Sequence, residues 1–178
     1  MVDKGMVHGR FQLLTLKHME YILAAKMRCK KLYIGIIDSD SLHVEGGMDR
    51  TENPFTFMER FEMIHRALIE FRLKREEFEI IPFPMGRPEY LSQYTPEDVV
   101  HYLNLSGEEG KERHDLLKRM GMETVVLWDE DEKDSGLTSA ELRALIREKK
   151  DWANYIPKSV YKYVMEDCNN RDIKRYIS

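Results

Sequence analysis

The sequence has little that would link the protein to a membrane or to an oxidising compartment. It contains only two cysteines, Cys29 and Cys168, and their separation is unlike that of a metal site. No apolar run resembles a signal peptide or is long enough to span a membrane. From these absences we expect a protein of the reducing cytoplasm.

An excess of positive charge is also missing. The 28 Lys and Arg residues are outnumbered by 32 Asp and Glu residues, which gives a net charge of -4. Because nucleic acids and anionic membranes attract proteins through a positive field, we predict neither as a partner and expect a small-molecule ligand. The 178 residues suffice for one domain whose core needs no disulfide or metal.

What the sequence does contain is an alternation of short apolar runs with amphipathic stretches. The runs lack strict polar alternation, so they predict strands buried on both faces of a parallel sheet. The predicted strands cover residues 5–8, 32–37, 78–82, 99–103 and 124–128. Helices are predicted over residues 17–30, 56–71, 108–120, 138–149 and 157–167. Thr56 and Thr138 each have a glutamate three residues later, which indicates a capping box.

Ligands of such sheets bind at the carboxyl ends of the strands, so the loops there are the candidate binding segments. The loop at 38–54 is long and polar and is predicted to face the substrate. Residues 83–96 are a second irregular stretch, and residues 129–136 form an acidic loop. His101 lies within an apolar strand, so we predict a hydrogen-bonded core residue there rather than a catalyst.

Two helix starts indicate anion binding. The first strand runs through a tight turn into a helix, in residues 6–19, with Arg10 and His18 at the two ends of the loop. The unpaired N–H groups of a helix N-terminus, together with basic side chains, favour a phosphate there. The second start, TSAELR at residues 138–143, offers two hydroxyls and Arg143. Either start alone also fits an ordinary capped helix.

Together the segments resemble the motifs of one superfamily. Residues 9–18, GRFQLLTLKH, are similar to the GRFQPFHxGH signature of nucleotidyltransferases that carry an HxGH or TxGH loop, and TSAELR resembles their late SxTxxR-type motif. Residues 51–60 are similar to the ENPFT…ER block of archaeal-type nicotinamide-nucleotide adenylyltransferases. Residues 152–160, WANYIPKSV, resemble the closing W…(V/I)PxxV segment of that subfamily.

The alternation and the resemblance predict a Rossmann-like, three-layer α/β sandwich with a five-stranded parallel sheet in the order 3-2-1-4-5. We predict a single nucleotidyltransferase domain over residues 1–178, with the Rossmann-like core in 1–150 and a helical C-terminal tail in 151–178. The archaeal enzymes form homo-oligomers, so the resemblance also implies a homo-oligomer.

The resemblance implies transfer of AMP from ATP to a phosphorylated acceptor with release of pyrophosphate. The acceptor would be nicotinamide or nicotinate mononucleotide, in NAD synthesis. In this family an oxygen of the acceptor attacks the α-phosphorus directly, so the protein must align reactants and neutralise negative charge. Mg²⁺ would come with the nucleoside triphosphate and be held by phosphates and water, so no protein-built metal site is predicted.

Site residues carry over from the matching motifs. His18 would bind the triphosphate and stabilise the transition state, with Arg10, Lys17 and Arg143 as the other catalytic residues. Asn53, Phe55 and Arg60 would contribute to the acceptor side. The resemblance implies that the nucleotide is bound by Gly9, Arg10, Phe11, Thr15, His18, Thr138, Ser139 and Arg143.

Departures from the family pattern leave alternatives open. Lys17 replaces the glycine of HxGH and either reaches a phosphate or crowds the nucleotide. The loops after the third and fourth predicted strands also differ from those of the archaeal enzymes. One alternative is a cytidylyl- or adenylyltransferase that uses CTP or ATP and acts on another phosphate or phosphonate. The other is a non-catalytic nucleotide-binding regulator.

Overall fold

A parallel sheet lies at the centre of the protein. The computed structural model describes residues 1–37, 53–105, 107–129 and 137–168. Within these residues the strands pair in the order β3-β2-β1-β4-β5, all parallel, which confirms the predicted order. The strands are β1 (Val2–Gly9), β2 (Cys29–Ile37), β3 (Phe78–Phe83), β4 (Val100–Asn104) and β5 (Thr124–Trp128).

A helix is present at each of the five predicted places, and a further short helix at Leu91–Tyr94 was not predicted. The helices are α1 (Leu16–Lys26), α2 (Phe57–Glu70), α3 (Leu91–Tyr94), α4 (Gly107–Arg119), α5 (Ser139–Arg147) and α6 (Lys158–Lys162), with a π-helical turn at Tyr163–Asp167. The capping boxes predicted at Thr56 and Thr138 are both present. The helix predicted over 17–30 was too long, because β2 already begins at Cys29, which pairs in register with Val2 of β1.

The core has two apolar layers, one on each face of the sheet. Successive residues of β1 alternate between them, with Met6 in one layer and Val7 in the other, as the period of a strand requires. One layer contains buried residues of α1, α2, α5 and α6. The other contains Leu91 of α3 and Leu117 of α4. This arrangement confirms the three-layer α/β sandwich.

The C-terminal part of the described chain packs against the same core. α6 contacts α2, and Trp152, Ile156 and Val160 are buried in the layer that contains α1, α2 and α5. The predicted division into a core and a tail stays a prediction. Among the residues described, no helix combines the length and the apolar character that a membrane crossing needs.

Two of the predicted loops lie largely outside the described residues, namely 38–52 of the first loop and 130–136 of the acidic loop. The stretch predicted as irregular at 83–96 contains a 3-10 turn at Pro88–Tyr90 and the short α3.

His101 is fully buried as predicted, but its two ring nitrogens have no hydrogen-bond partner among the described residues. Its neighbours are rings, those of His8 at 5.6 Å and Phe83 at 6.1 Å, which offer no acceptor in this arrangement.

Candidate active site

The loop between β1 and α1 fixes the orientation of His18. Thr15 caps α1: its hydroxyl accepts the backbone N–H of His18 at 3.1 Å, and its own N–H donates to Nδ1 of His18 at 3.0 Å. Because a backbone N–H can only donate, Nδ1 must accept and the neutral ring carries its proton on Nε2. Burial lowers the pKa of His18 to about 4, so the ring is neutral at pH 7.

The same loop is tied to the segment that precedes α2. The side-chain amide of Gln12 donates to the carbonyl of Phe55 at 2.9 Å and accepts the N–H of Phe55 at 2.8 Å. The buried guanidinium of Arg60 donates to the carbonyls of Arg10 at 2.9 Å and of Ile37 at 2.8 Å. These bonds satisfy backbone groups that a buried loop would otherwise leave unpaired, and they hold the loop in place.

The N-terminus of α5 meets the loop from the other side. The hydroxyl of Ser139 donates to the carbonyl of Leu13 at 3.2 Å, and the buried guanidinium of Arg143 donates to the carbonyl of Gln12. Thr138 caps α5 by accepting the N–H of Glu141 at 3.2 Å. Two helix N-termini, those of α1 and α5, therefore border one space, and both favour negative charge.

That space is a cavity of about 350 Å³ above the carboxyl ends of β1 and β4. It brings together every nucleotide-binding and catalytic residue that the sequence predicted. Those lining residues are Gly9, Arg10, Phe11, Thr15, Lys17, His18, Thr138, Ser139 and Arg143. Further lining residues that the sequence did not indicate are His8, Gln12, Tyr21, Asn104, Glu109, Gly110, Arg113, Leu137 and Ala140.

The residues predicted for the acceptor side lie elsewhere. Phe55 is buried in the core, Arg60 is engaged with backbone carbonyls, and Asn53 is partly buried before α2. None of the three lines the cavity. Their predicted role in acceptor binding stays a prediction, and the observed role of Arg60 is to hold the β1–α1 loop against the end of β2.

Helix α4 packs on the face of the sheet opposite to α1 and α5, and its residues line the remaining side of the cavity. A side chain at Gly110 would come within 2.9 Å of the carbonyl oxygen of Asn104, so glycine lets α4 approach the end of β4. One turn further on, Arg113 reaches the cavity, and Glu109 pairs with Arg10 at 3.3 Å. The spacing of Gly110, Arg113 and Leu117 is a helical face, the one sequence signal that could have pointed to Arg113.

A second cavity of about 560 Å³ adjoins the first. Arg10, Glu109 and Arg113 line both cavities, so the two meet at these side chains. The second cavity also touches Ile37 at the end of β2 and Met85 after β3. The two cavities together could hold two reactants side by side at the carboxyl edge of the sheet.

The charge of the site is mostly positive. Arg10, Lys17, Arg113 and Arg143 line the first cavity, against Glu109 as the carboxylate. Within the described part of the chain, no group of three or more His, Cys, Asp and Glu side chains could hold a metal ion. Such a lining suits an anionic ligand, and a divalent ion here would be held through the ligand's phosphates.

Comparison with known proteins agrees with this geometry. A family model for cytidylyltransferase-like proteins matches residues 6–165. The chain belongs to this family of nucleotidyltransferases. The family assignment confirms the superfamily that the GRFQ and TSAELR segments indicated, and with it the prediction of an enzyme that transfers a nucleotidyl group.

Curated relatives of this nucleotidyltransferase include both a cytidylyltransferase and adenylyltransferases. It is 34% identical over 169 residues to a phosphonoformate cytidylyltransferase from Streptomyces viridochromogenes, which covers 91% of this chain and 90% of the relative. It is 30% identical over 184 residues to a nicotinamide-nucleotide adenylyltransferase from Saccharolobus solfataricus, and this alignment covers 99% of this chain and 98% of the relative.

A solved structure shows the same fold. It is a bifunctional NMN adenylyltransferase/ADP ribose pyrophosphatase from Francisella tularensis, with a TM-score of 0.71 and 14% sequence identity. The alignment covers 99% of this chain but only 52% of that protein, so this nucleotidyltransferase spans about half of its length. At this identity the similarity supports the fold alone.

Proposed function

We propose that the protein transfers a nucleoside monophosphate from a nucleoside triphosphate to a small acceptor that carries a phosphate or phosphonate, with release of pyrophosphate. One observation carries this proposal: Nε2–H of His18, the guanidinium of Arg143 and the N-termini of α1 and α5 converge on one cavity. The reaction needs positioned donors where negative charge develops, and no nucleophile from the protein.

His18 would donate from Nε2 to the phosphate that carries the growing charge. The bond from Thr15 to Nδ1 fixes both the tautomer and the plane of the ring, so the donor is in place before the reaction begins. A neutral donor also avoids the cost of a buried imidazolium. Lys17 and Arg143 would neutralise the β- and γ-phosphates that leave as pyrophosphate.

Mg²⁺ fits this lining only as an ion that arrives with the triphosphate. Magnesium keeps several waters and binds to phosphates and one or two carboxylates, and Glu109 is the carboxylate present in the first cavity. The ion would neutralise phosphate charge and lower the barrier to displacement at the α-phosphorus. The residues of the chain would orient the phosphates around it.

Our first candidate for the substrates is ATP with nicotinamide or nicotinate mononucleotide. It is supported by the archaeal relative, which is similar over nearly the whole of both chains. A second candidate, CTP with a small phosphonate, is supported by the higher identity to the phosphonoformate cytidylyltransferase. In either case the acceptor would occupy the second cavity. A homo-oligomer stays a prediction from the resemblance.

The proposal is tested by pyrophosphate release with Mg²⁺. ATP, CTP, GTP and UTP would each be paired with NMN, nicotinate mononucleotide, phosphonoformate and a phosphorylated alcohol. We expect release above the no-acceptor background for at least one pair. Turnover with ATP and NMN supports the first candidate, and turnover with CTP and phosphonoformate supports the second. Nucleotide binding without release from any pair would contradict the proposal and favour a regulator.

A further inference from the structure

Among the described residues, Arg113 is a cation for which no hydrogen-bond or ion-pair partner is present. It projects from α4 to the junction of the two cavities and is partly buried. It makes no hydrogen bond or ion pair with any residue in the described ranges. The neighbouring Arg10 differs, because it pairs with both carboxylate oxygens of Glu109 at 3.3 Å. If the role of Arg113 were to hold α4 in position, we would expect its guanidinium to donate to backbone carbonyls, as the guanidinium of Arg60 does.

The burial of Arg113, rather than the net charge around it, favours an anionic ligand, because the second cavity is lined by three arginines, Arg10, Arg113 and Arg119, and by three carboxylates, Glu109, Glu112 and Asp115. Burial lowers the pKa of the guanidinium, and the positive charge of Arg10 lowers it further, while Tyr21 and Glu109 oppose these effects. An arginine keeps its charge in proteins, so the cost of partial burial is not removed by deprotonation. A bound anion would offset that cost by supplying the missing acceptors.

The position of Arg113 indicates which reactant supplies the anion. The donors assigned to the triphosphate, His18 and Arg143, come from α1 and α5, which pack on one face of the sheet. Arg113 comes from α4, which packs on the other face. It is also part of the second cavity, which none of the donors from α1 or α5 lines.

Resting on the proposed function, we infer that Arg113 binds the phosphate or phosphonate group of the acceptor at the junction of the two cavities. Its fork of N–H donors suits two oxygens of a tetrahedral anion and leaves the third oxygen to attack. Arg10 lies at the same junction, and its exposed ion pair with Glu109 is weak enough to open for the ligand. Arg113 is therefore a binding and positioning residue for the acceptor.

The experiment compares acceptor and nucleotide binding in three variants. NMN and phosphonoformate would be titrated calorimetrically into protein saturated with an α,β-methylene analogue of ATP or CTP, and each analogue would be titrated alone. Arg113→Gln removes the charge, and Arg113→Lys keeps it without the fork. Lys111→Gln is the matched control, because Lys111 is exposed on the same helix and lines neither cavity.

We expect Arg113→Gln to weaken acceptor binding by about tenfold or more, as loss of a charged hydrogen bond does, and analogue binding by less than about twofold. The acceptor affinity of Arg113→Lys should lie between that of Arg113→Gln and that of the wild type. If Arg113→Gln does not fold, the acceptor affinity of Arg113→Lys decides the result. Lys111→Gln should change neither affinity.

The inference is overturned if Arg113→Gln weakens analogue binding but not acceptor binding, or if it changes neither. It is also overturned if the wild type binds neither acceptor. These readouts are separate from turnover. Acceptor binding that depends on Arg113, without pyrophosphate release from any pair, would contradict the proposed function and support the anion site.

Discussion

Replacement of His18 is the sharpest perturbation of the proposed mechanism. The structure gives the side chain two functions: Nδ1 accepts the N–H of Thr15 and completes the capping box of α1, whereas Nε2–H has no acceptor among the described residues and can donate into the cavity. Loss of the bond from the Thr15 N–H to Nδ1 should cost about 1 kcal/mol of stability, while Thr15 still caps α1 with its hydroxyl. Loss of one preorganised donor to a developing charge should lower kcat by about 100- to 1,000-fold.

Two variants separate these effects. In His18→Asn the side-chain oxygen can accept the Thr15 N–H as Nδ1 does, but the amide does not reach as far as Nε2. His18→Ala loses both functions. We expect both variants to lose kcat, measured as pyrophosphate release at saturating substrates, and only His18→Ala to lose thermal stability. His114→Ala, on α4 and outside both cavities, is the control and should behave as the wild type.

The pH dependence gives a second readout for His18. Because its pKa is about 4, the ring stays neutral above pH 6, and the ratio of wild-type kcat to His18→Asn kcat should be constant from pH 6 to 8. A ratio that changes with a midpoint near 6.5 would show a titrating imidazole and refute the neutral donor. If the kcat of the His18→Asn variant equalled that of the wild type, His18 would have no part in the mechanism.

Two further predictions concern Lys17 and His101. Lys17→Gly should lower kcat/KM for the nucleotide by about tenfold, because the side chain that lines the cavity neutralises a phosphate. His101→Phe should make unfolding less sensitive to pH. The pKa of His101 is lowered by burial from 6.5 to about 4, so the unfolded chain binds more protons and stability falls as pH drops below 6.5. For one such group the loss between pH 7 and pH 5 is about 2 kcal/mol.

Each of these has its own control. Glycine inside a helix costs about 1 kcal/mol relative to alanine, so Glu20→Gly, an exposed change in α1, measures that effect without touching the cavity. A gain of activity in Lys17→Gly would mean that the lysine obstructs the nucleotide. For His101, chemical denaturation at the two pH values compares the variant with the wild type. Equal losses of stability in both would contradict the assignment.

Much of the fold could be predicted because parallel strands and capped helices leave local signals. Thr56 and Thr138 begin their helices as their capping boxes indicate. The end of α1 was less predictable, because residues 27–30 continue its pattern by composition. Only pairing with β1 shows that Cys29 already belongs to a strand. Boundaries of this kind depend on tertiary contacts rather than on propensity.

The site divides in the same way. Motif residues such as His18 and Arg143 could be predicted because a contiguous loop and a helix start bring their donors together. For Arg113 the sequence offers only its spacing from Gly110 and Leu117 on one helical face, and it does not show whether that face of α4 meets the cavity. Arg60 matches a motif, yet only the structure shows its guanidinium bonded to two backbone carbonyls. A sequence pattern indicates the residue type but not the atoms that it contacts.

The most direct test of the account is the fate of an oxygen label. NMN and phosphonoformate would be prepared with ¹⁸O in the phosphate or phosphonate group. Each would be incubated with the protein, Mg²⁺ and ATP or CTP. Mass spectrometry would then measure the ¹⁸O content of the products. Direct attack on the α-phosphorus predicts that the full label appears in the joined product and none in pyrophosphate. Label in pyrophosphate, or release of AMP or CMP without a joined product, would contradict nucleotidyl transfer to the acceptor.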